Sequence, residues 1–219
     1  DAPSLCEGWS VADVVLHLAQ SEEAVLGTTA ALGILGRQAS AEATMDEVVD
    51  QWVAGERGRP PVEYLERWVK AQRSSLDALR SADPSATFPW ATNPLKPKTL
   101  ATTRLSEHWI HANDIAQPLG LDYPDTDRLW HIARLAQRTI PYAYARAGRD
   151  DPPTVRAELT RPRGESWVFG DEDAQCVITG SASEFCRIAA RRLPWRDAKT
   201  IDASSPRADE VLELVRTYA

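Results

Sequence analysis

Glu107 and His111 stand four residues apart in the stretch Arg104-Leu-Ser-Glu-His-Trp-Ile-His-Ala-Asn-Asp-Ile-Ala-Gln117. In a helix that interval stacks the two side chains one above the other, so a carboxylate and an imidazole can close on a single ion. At about 100° per residue, Leu105, Trp109, Ala112 and Ala116 share one side, and Glu107, His111 and Asp114 fall within about 60° of one another on the other. The spacing is a bidentate metal grip, with Asp114 one turn beyond His111 and placed to orient that imidazole. The same spacing also describes an ion pair on a solvated helix face, and a third ligand from elsewhere decides between the two readings. With four histidines in 219 residues, the search for it is short.

Each of these groups needs an element to hold it. Ser10 followed by Asp13 is a capping-box start, and from Val11 to about Leu35 the helical period puts Val11, Val14, Val15, Leu18 and Leu26 on a core-facing stripe. His17 lies roughly 110° from that stripe, beside Asp13 and Ser21, at a border from which a side chain can reach a cleft. Read alone, it fits a surface histidine better than a ligand. A second helix covers 43–55 and is broken by Gly58-Arg59-Pro60-Pro61. The third, Val62–Ser81, carries Tyr64, Leu65, Trp68, Val69, Leu76 and Leu79 at helical spacing, which is core. Asp83–Lys98 holds four prolines and reads as a long loop bordering the site.

After the Arg104–Gln117 helix, a further one spans Thr126–Ala147 and is kinked near Pro141. Its His131 shares a polar face with Arg134 and Arg138 and is read as solvated. Gly148–Pro153 then marks a boundary, because the period changes from helical to two. Strands are expected at 155–159, Ser166–Phe169 and Ala174–Thr179, with helices at Ala182–Arg192 and Pro206–Thr217. The fold class is α+β: an N-terminal helical bundle over 1–149 and a small C-terminal α+β domain over 150–219. Arg192 is out of place, since it falls on the apolar face defined by Phe185, Ile188 and Ala189. Either its stem snorkels at the helix C-terminus, or it is an anion clamp turned towards the other domain.

Composition narrows the function. A chain that is 43% hydrophobic can bury one large core, or one core and a small second domain. A net charge of −7 and the lack of a basic patch argue against nucleic acid. No apolar run is long enough to span a bilayer and no signal peptide is visible, so a cytoplasmic protein with a small-molecule substrate and no membrane partner is expected. Cys6, Cys176 and Cys186 form neither a C-x-x-C pair nor a disulfide framework and read as small buried hydrophobes.

Taken together, the motifs resemble a known family. Gly8-Trp9-Ser10-Val11-x-Asp13-x-x-x-His17-Leu18 resembles the N-terminal signature of the DinB-like, mycothiol-dependent maleylpyruvate isomerase superfamily, and Arg104-x-x-Glu107-x-x-x-His111-x-x-Asp114 is similar to its second signature. Thr179-Gly180-Ser-Ala-Ser-Glu184-Phe185 through Arg192 looks like the helix of its C-terminal sterol-carrier-like domain. The resemblance is closest to an actinobacterial subgroup of metal-binding proteins. It implies a four-helix bundle, a His17/Glu107/His111 metal triad with an open position for a thiol or water, and a functional arginine, catalytic and cofactor-binding, at Arg192. His108, directly after Glu107, departs from the pattern and is an extra imidazole that could compete as ligand.

The implied ion is divalent, zinc before nickel or iron, and the implied cofactor is a low-molecular-weight thiol of the mycothiol type, used in transfer to, or isomerisation of, a small electrophile. Two other functions share the ligand set: a thiol-independent metal-water hydrolase, lyase or biosynthetic cyclase, and a non-enzymatic metal or ligand sensor. The chain opens on Asp1 rather than Met, and the family's first bundle helix is expected upstream of it. Without that helix, or a partner in a homodimer replacing it, Val14, Leu18 and Trp68 would be exposed. Monomer and homodimer both remain open.

Overall fold

Ser10 and Asp13 start the first helix reciprocally. The Ser10 hydroxyl accepts from the Asp13 amide at 3.2 Å and the Asp13 carboxylate accepts from the Ser10 amide at 2.8 Å, which satisfies two amides at the start of α1 (Val11–Val25). α1 stops well short of the expected Leu35, at a turn in which Gly27 takes a left-handed φ of 64°. The computed structural model describes residues 2–27, 45–90 and 94–217, so the rest of that expected helix lies outside the described residues. α2 (Met45–Glu56) follows, then α3 (Pro61–Ser81) and α4 (Pro97–Ala116). The last two each begin on a proline, where a missing N–H breaks no helical bond.

Within this first unit α1 packs against α2, α3 and α4. One apolar cluster joins Leu16, Val53 and Tyr64 with Trp9, Ala12 and Val15, and another joins Ala24 and Trp52 with Trp90. Val14 and Leu18 are buried rather than exposed. Among the described residues, the exposed large apolar side chains of this unit are Val62, Leu65 and Leu76 on α3, the last two contrary to their reading as core, and Leu5, Leu119 and Leu121 outside its helices.

The chain divides into two compact units between Tyr123 and Pro124. The change of sequence period near residue 150 points to a later boundary, but α5 (Leu129–Arg138) and α6 (Ile140–Arg146) fold with the second unit. Their buried residues, among them Leu129, Ile132, Ala136 and Ala143, face that unit's own helices and sheet. A helical period shows that a face is buried and not which neighbour buries it. The break between α5 and α6 falls at Thr139, ahead of Pro141 as expected.

β1 (Val155–Thr160), β2 (Ser166–Phe169), β3 (Cys176–Ser181) and β4 (Asp202–Ala203) form a sheet in the order β2-β1-β3-β4. β1 pairs antiparallel with β2 and parallel with β3, and β3 pairs antiparallel with β4, which at two residues is too short to leave a sequence signal. Gly180 has φ 136°, and a Cβ there would come within 2.5 Å of the Thr200 carbonyl oxygen, so only glycine lets that strand run beside the chain leading into β4.

α7 (Ala182–Ala189) ends three residues before the expected Arg192. Arg191 adopts a left-handed φ of 59°, its amide donates to the Ile188 carbonyl and the Arg192 amide donates to the Arg187 carbonyl, both at 2.9 Å. That is a Schellman closure with arginine in the position glycine usually fills, and nothing in the periodicity foretells it. α8 (Pro206–Leu214) is capped by the Ser205 hydroxyl and stops before the expected Thr217, because Val215 turns extended. The molecule is α+β, with the helices of the first unit carrying the predicted triad.

Candidate metal centre

His17 reaches inward from α1, and Glu107 and His111 reach inward from α4. One ligand atom from each of the three lies within 4.8 Å of the other two. His17 Nε2 faces Glu107 Oε1 at 2.8 Å. The rings of His17 and His111 meet edge to face with centroids 4.9 Å apart, and Trp9 closes the other side of His17 at 5.2 Å. The polar side of α4 is therefore not a solvated stripe: His111 is 9% exposed, Asp114 1% and Arg104 5%. Trp109 and Ala116 on the apolar side of the helix are buried as well.

The groups around the triad fix its orientation and charge. Asp114 Oδ2 accepts from His111 Nδ1 at 3.0 Å, which leaves Nε2 as the ligand atom of that ring. Ser21 donates to Glu107 Oε1 at 2.9 Å, and Arg104 Nη1 donates to Glu107 Oε2. Burial would raise the Glu107 pKa, but Arg104 and the two histidines outweigh it and hold the carboxyl well below its usual range. Burial lowers the His17 pKa against the pull of Glu107, so this imidazole stays neutral and keeps a lone pair for an ion. Arg104 is itself held by a second buried carboxylate, donating from Nε to Glu22 Oε1 at 2.9 Å, while Ser75 donates to Glu22 Oε2. The two carboxylates keep the guanidinium charged although burial opposes it.

His108 takes a different place. Its Nε2 accepts from the Trp68 indole at 3.1 Å and its Nδ1 donates to the Arg104 carbonyl at 2.9 Å, so both nitrogens are engaged away from the triad. Burial, then the Arg104 charge, lowers its pKa and keeps it neutral. His131 is exposed on α5, edge-on to Trp130. Arg192 is exposed beyond the end of α7, where its Nη1 donates to the Ala190 carbonyl at 3.4 Å. It does not sit on the helix face that the sequence assigned to it.

Participants to which the sequence reading gave no role in the site include Cys6, Ser21, Glu22, Ser75 and Arg104, the last quoted only as part of the second signature. Glu22 had a signal, because it continues the Val15–Leu18 stripe at i+7 and i+4, where a carboxylate on a core face needs a buried partner. Arg104 stands one turn before Glu107 on the polar side of α4. Cys6 had none; its thiol lies against Asp114, unlike Cys176 and Cys186, which are buried as expected.

The donor set fits a divalent ion on this structure's own terms. Two imidazoles and one carboxylate converge in a largely buried site, and His17 Nδ1 is buried with no hydrogen-bond partner among the described residues. Three mixed N and O ligands are the pattern of an ion that keeps an exchangeable position. The first unit is thus a helical bundle with a candidate metal centre between two of its helices. Residues 1–116 match the family model of the mycothiol maleylpyruvate isomerase N-terminal domain, and the chain belongs to that family.

Its relatives extend over nearly the whole chain. Two uncharacterized proteins from two strains of Mycobacterium tuberculosis are each 30% identical to it over 206 residues, covering 93% of this chain and 79% of theirs. Two crystal structures share its fold. A mutant form of the mycothiol-dependent maleylpyruvate isomerase has a TM-score of 0.53 at 19% identity, covering 93% of this chain and 81% of that one. A second crystal structure of the mycothiol-dependent maleylpyruvate isomerase has a TM-score of 0.52 at 19% identity, covering 92% of this chain and 80% of that one. No helix among the described residues is long and apolar enough to cross a membrane.

Proposed function

We propose that this protein is an enzyme that holds one divalent ion, zinc in the first place, on His17, Glu107 and His111, and uses it to activate a low-molecular-weight thiol of the mycothiol type for transfer to, or isomerisation of, a small electrophilic substrate. The observation that carries the reading is the convergence of the three ligand atoms from α1 and α4, with Glu107 kept ionised and His17 kept neutral. Membership of the mycothiol maleylpyruvate isomerase family supports the thiol. A divalent ion supplies, when bound, the Lewis acidity that deprotonates a thiol at neutral pH.

The rest is done by the chain itself. Arg104 and Ser21 hold Glu107 so that its carboxylate does not swing away, and Asp114 keeps the proton on His111 Nδ1. Trp9 packs on His17 and limits water around the imidazole. Arg192, in the second unit, is proposed to meet an anionic group of the thiol or substrate as a bidentate donor.

The test is metal analysis and thiol titration. The parent should hold one zinc, and Glu107→Gln and His111→Ala should each lose it; full retention in both would end the metal reading. Thiol added to the zinc-loaded parent should release a proton at neutral pH. If it does not, the thiol part fails while the metal part stands. Arg192→Ala should keep the zinc and bind thiol or substrate more weakly.

A further inference from the structure

The loop before α1 is fastened to α4 at Asp114. The Leu5 amide donates to the Asp114 carbonyl at 3.0 Å, and the Cys6 thiol donates to Asp114 Oδ2 at 3.2 Å. That oxygen is the one that accepts from His111 Nδ1, and Cys6 Sγ lies 3.7 Å from the same nitrogen. A carboxylate oxygen has lone pairs for both donors. The backbone that carries the thiol is tied down, because the Cys6 amide donates to Ser4 Oγ at 3.1 Å and the Ser4 hydroxyl donates to the Trp9 carbonyl at 2.9 Å. Cys6 is half-buried, whereas Cys176 and Cys186 are buried.

We propose that Cys6 is a positioning residue of the metal centre: its thiol holds the Asp114 carboxylate in the orientation that keeps the proton on His111 Nδ1 and leaves Nε2 for the ion. The inference rests on the metal reading above and adds a residue that touches neither ion nor substrate. Asp114 is 1% exposed, so a lone pair that loses the thiol finds little water to replace it. The carboxylate then re-aims and the imidazole tilts with it. Outer hydrogen bonds of this kind tune affinity without altering the donor set.

The experiment measures zinc affinity by competition with a chromophoric chelator for the parent, Cys6→Ala and Cys6→Ser. Serine keeps a donor at that place and alanine does not. Cys6→Ala should bind zinc on the order of tenfold more weakly, and Cys6→Ser should stay near the parent, with the melting temperatures of the zinc-free proteins alike. Equal affinity in Cys6→Ala and parent, or equal weakening in both variants, would overturn the proposal. Carbamidomethylation of Cys6 in the folded parent gives a second route without mutation; it should reproduce the alanine loss and have no counterpart in Cys6→Ser. Long-range ¹H–¹⁵N correlation of the zinc-free protein reads the His111 tautomer directly. The Nδ1–H form should dominate in the parent and lose its dominance in Cys6→Ala, and an unchanged tautomer would count against the proposal. If the parent binds no zinc at all, the metal reading fails, and the tautomer comparison still decides what Cys6 does.

Discussion

The two units bury different things. Every buried charged, imidazole, amide or serine residue among the described residues lies in the first unit, from Asp13 to Asp114. The second unit is filled by Leu159, Ile178, Phe185, Ile188 and Leu212, with Cys176 and Cys186 as small apolar fillers. Its ion pairs, such as Arg161–Asp127 and Arg207–Asp151, sit at partly or fully exposed positions. An apolar interior needs only matched volume. A buried charge needs every partner in place, so an interior of that kind holds together only as a whole network, and here the network surrounds the candidate metal centre.

The sharpest way to break this contrast is Arg104→Met. It removes the cation shared by Glu22 and Glu107 and leaves two buried carboxylates uncompensated. The expected cost is about 3–5 kcal/mol in urea unfolding, together with weaker zinc binding. A loss below about 1 kcal/mol would mean that the network behaves like a surface ion pair, and the contrast would fall.

In the second unit, Leu212→Ala should cost about 2–5 kcal/mol through a cavity and lost contacts. Zinc affinity should stay at the parent value. A change in zinc affinity would show that the two interiors are not separate in function.

The smallest effects are those of pH, and they run in opposite directions. The folded pKa of His17 is depressed, so an unfolded chain takes up a proton near 6.5 that the folded chain refuses. Its stability contribution is present above pH 6.5 and is lost as pH falls below it; Glu107, depressed below 4.5, adds a further loss at lower pH. In the second unit Tyr144 is pushed up to about 12 by burial and its bond to Glu210. Its contribution is present below pH 10.0 and is lost as pH rises towards about 12. Denaturation curves at pH 5, 7 and 11 (on the order of a unit beyond each unfolded-state pKa) should show unit 1 weakened at the acid end and unit 2 at the alkaline end. The reverse pattern would contradict both assignments.

The sequence by itself determined the local features. The capping box at Ser10, the break near Pro141 and the change to period two all arise from residues a few positions apart, where short-range sterics and hydrogen bonding decide, whereas α4 begins at Pro97, inside the stretch that reads as a loop. The i,i+4 pair of Glu107 and His111 was legible for the same reason. Only the tertiary structure decided what each face meets. It turned the polar side of α4 from a solvent stripe into a buried one, brought His17 against Glu107 across ninety positions of chain, and sent α5 and α6 to the second unit. It engaged both nitrogens of His108 and set Cys6 against Asp114. It also closed α7 at Arg191 and left Arg192 off the helix face. Periodicity records that a side chain has a direction, while its partner depends on packing between segments that are distant in sequence, and no local pattern carries that information.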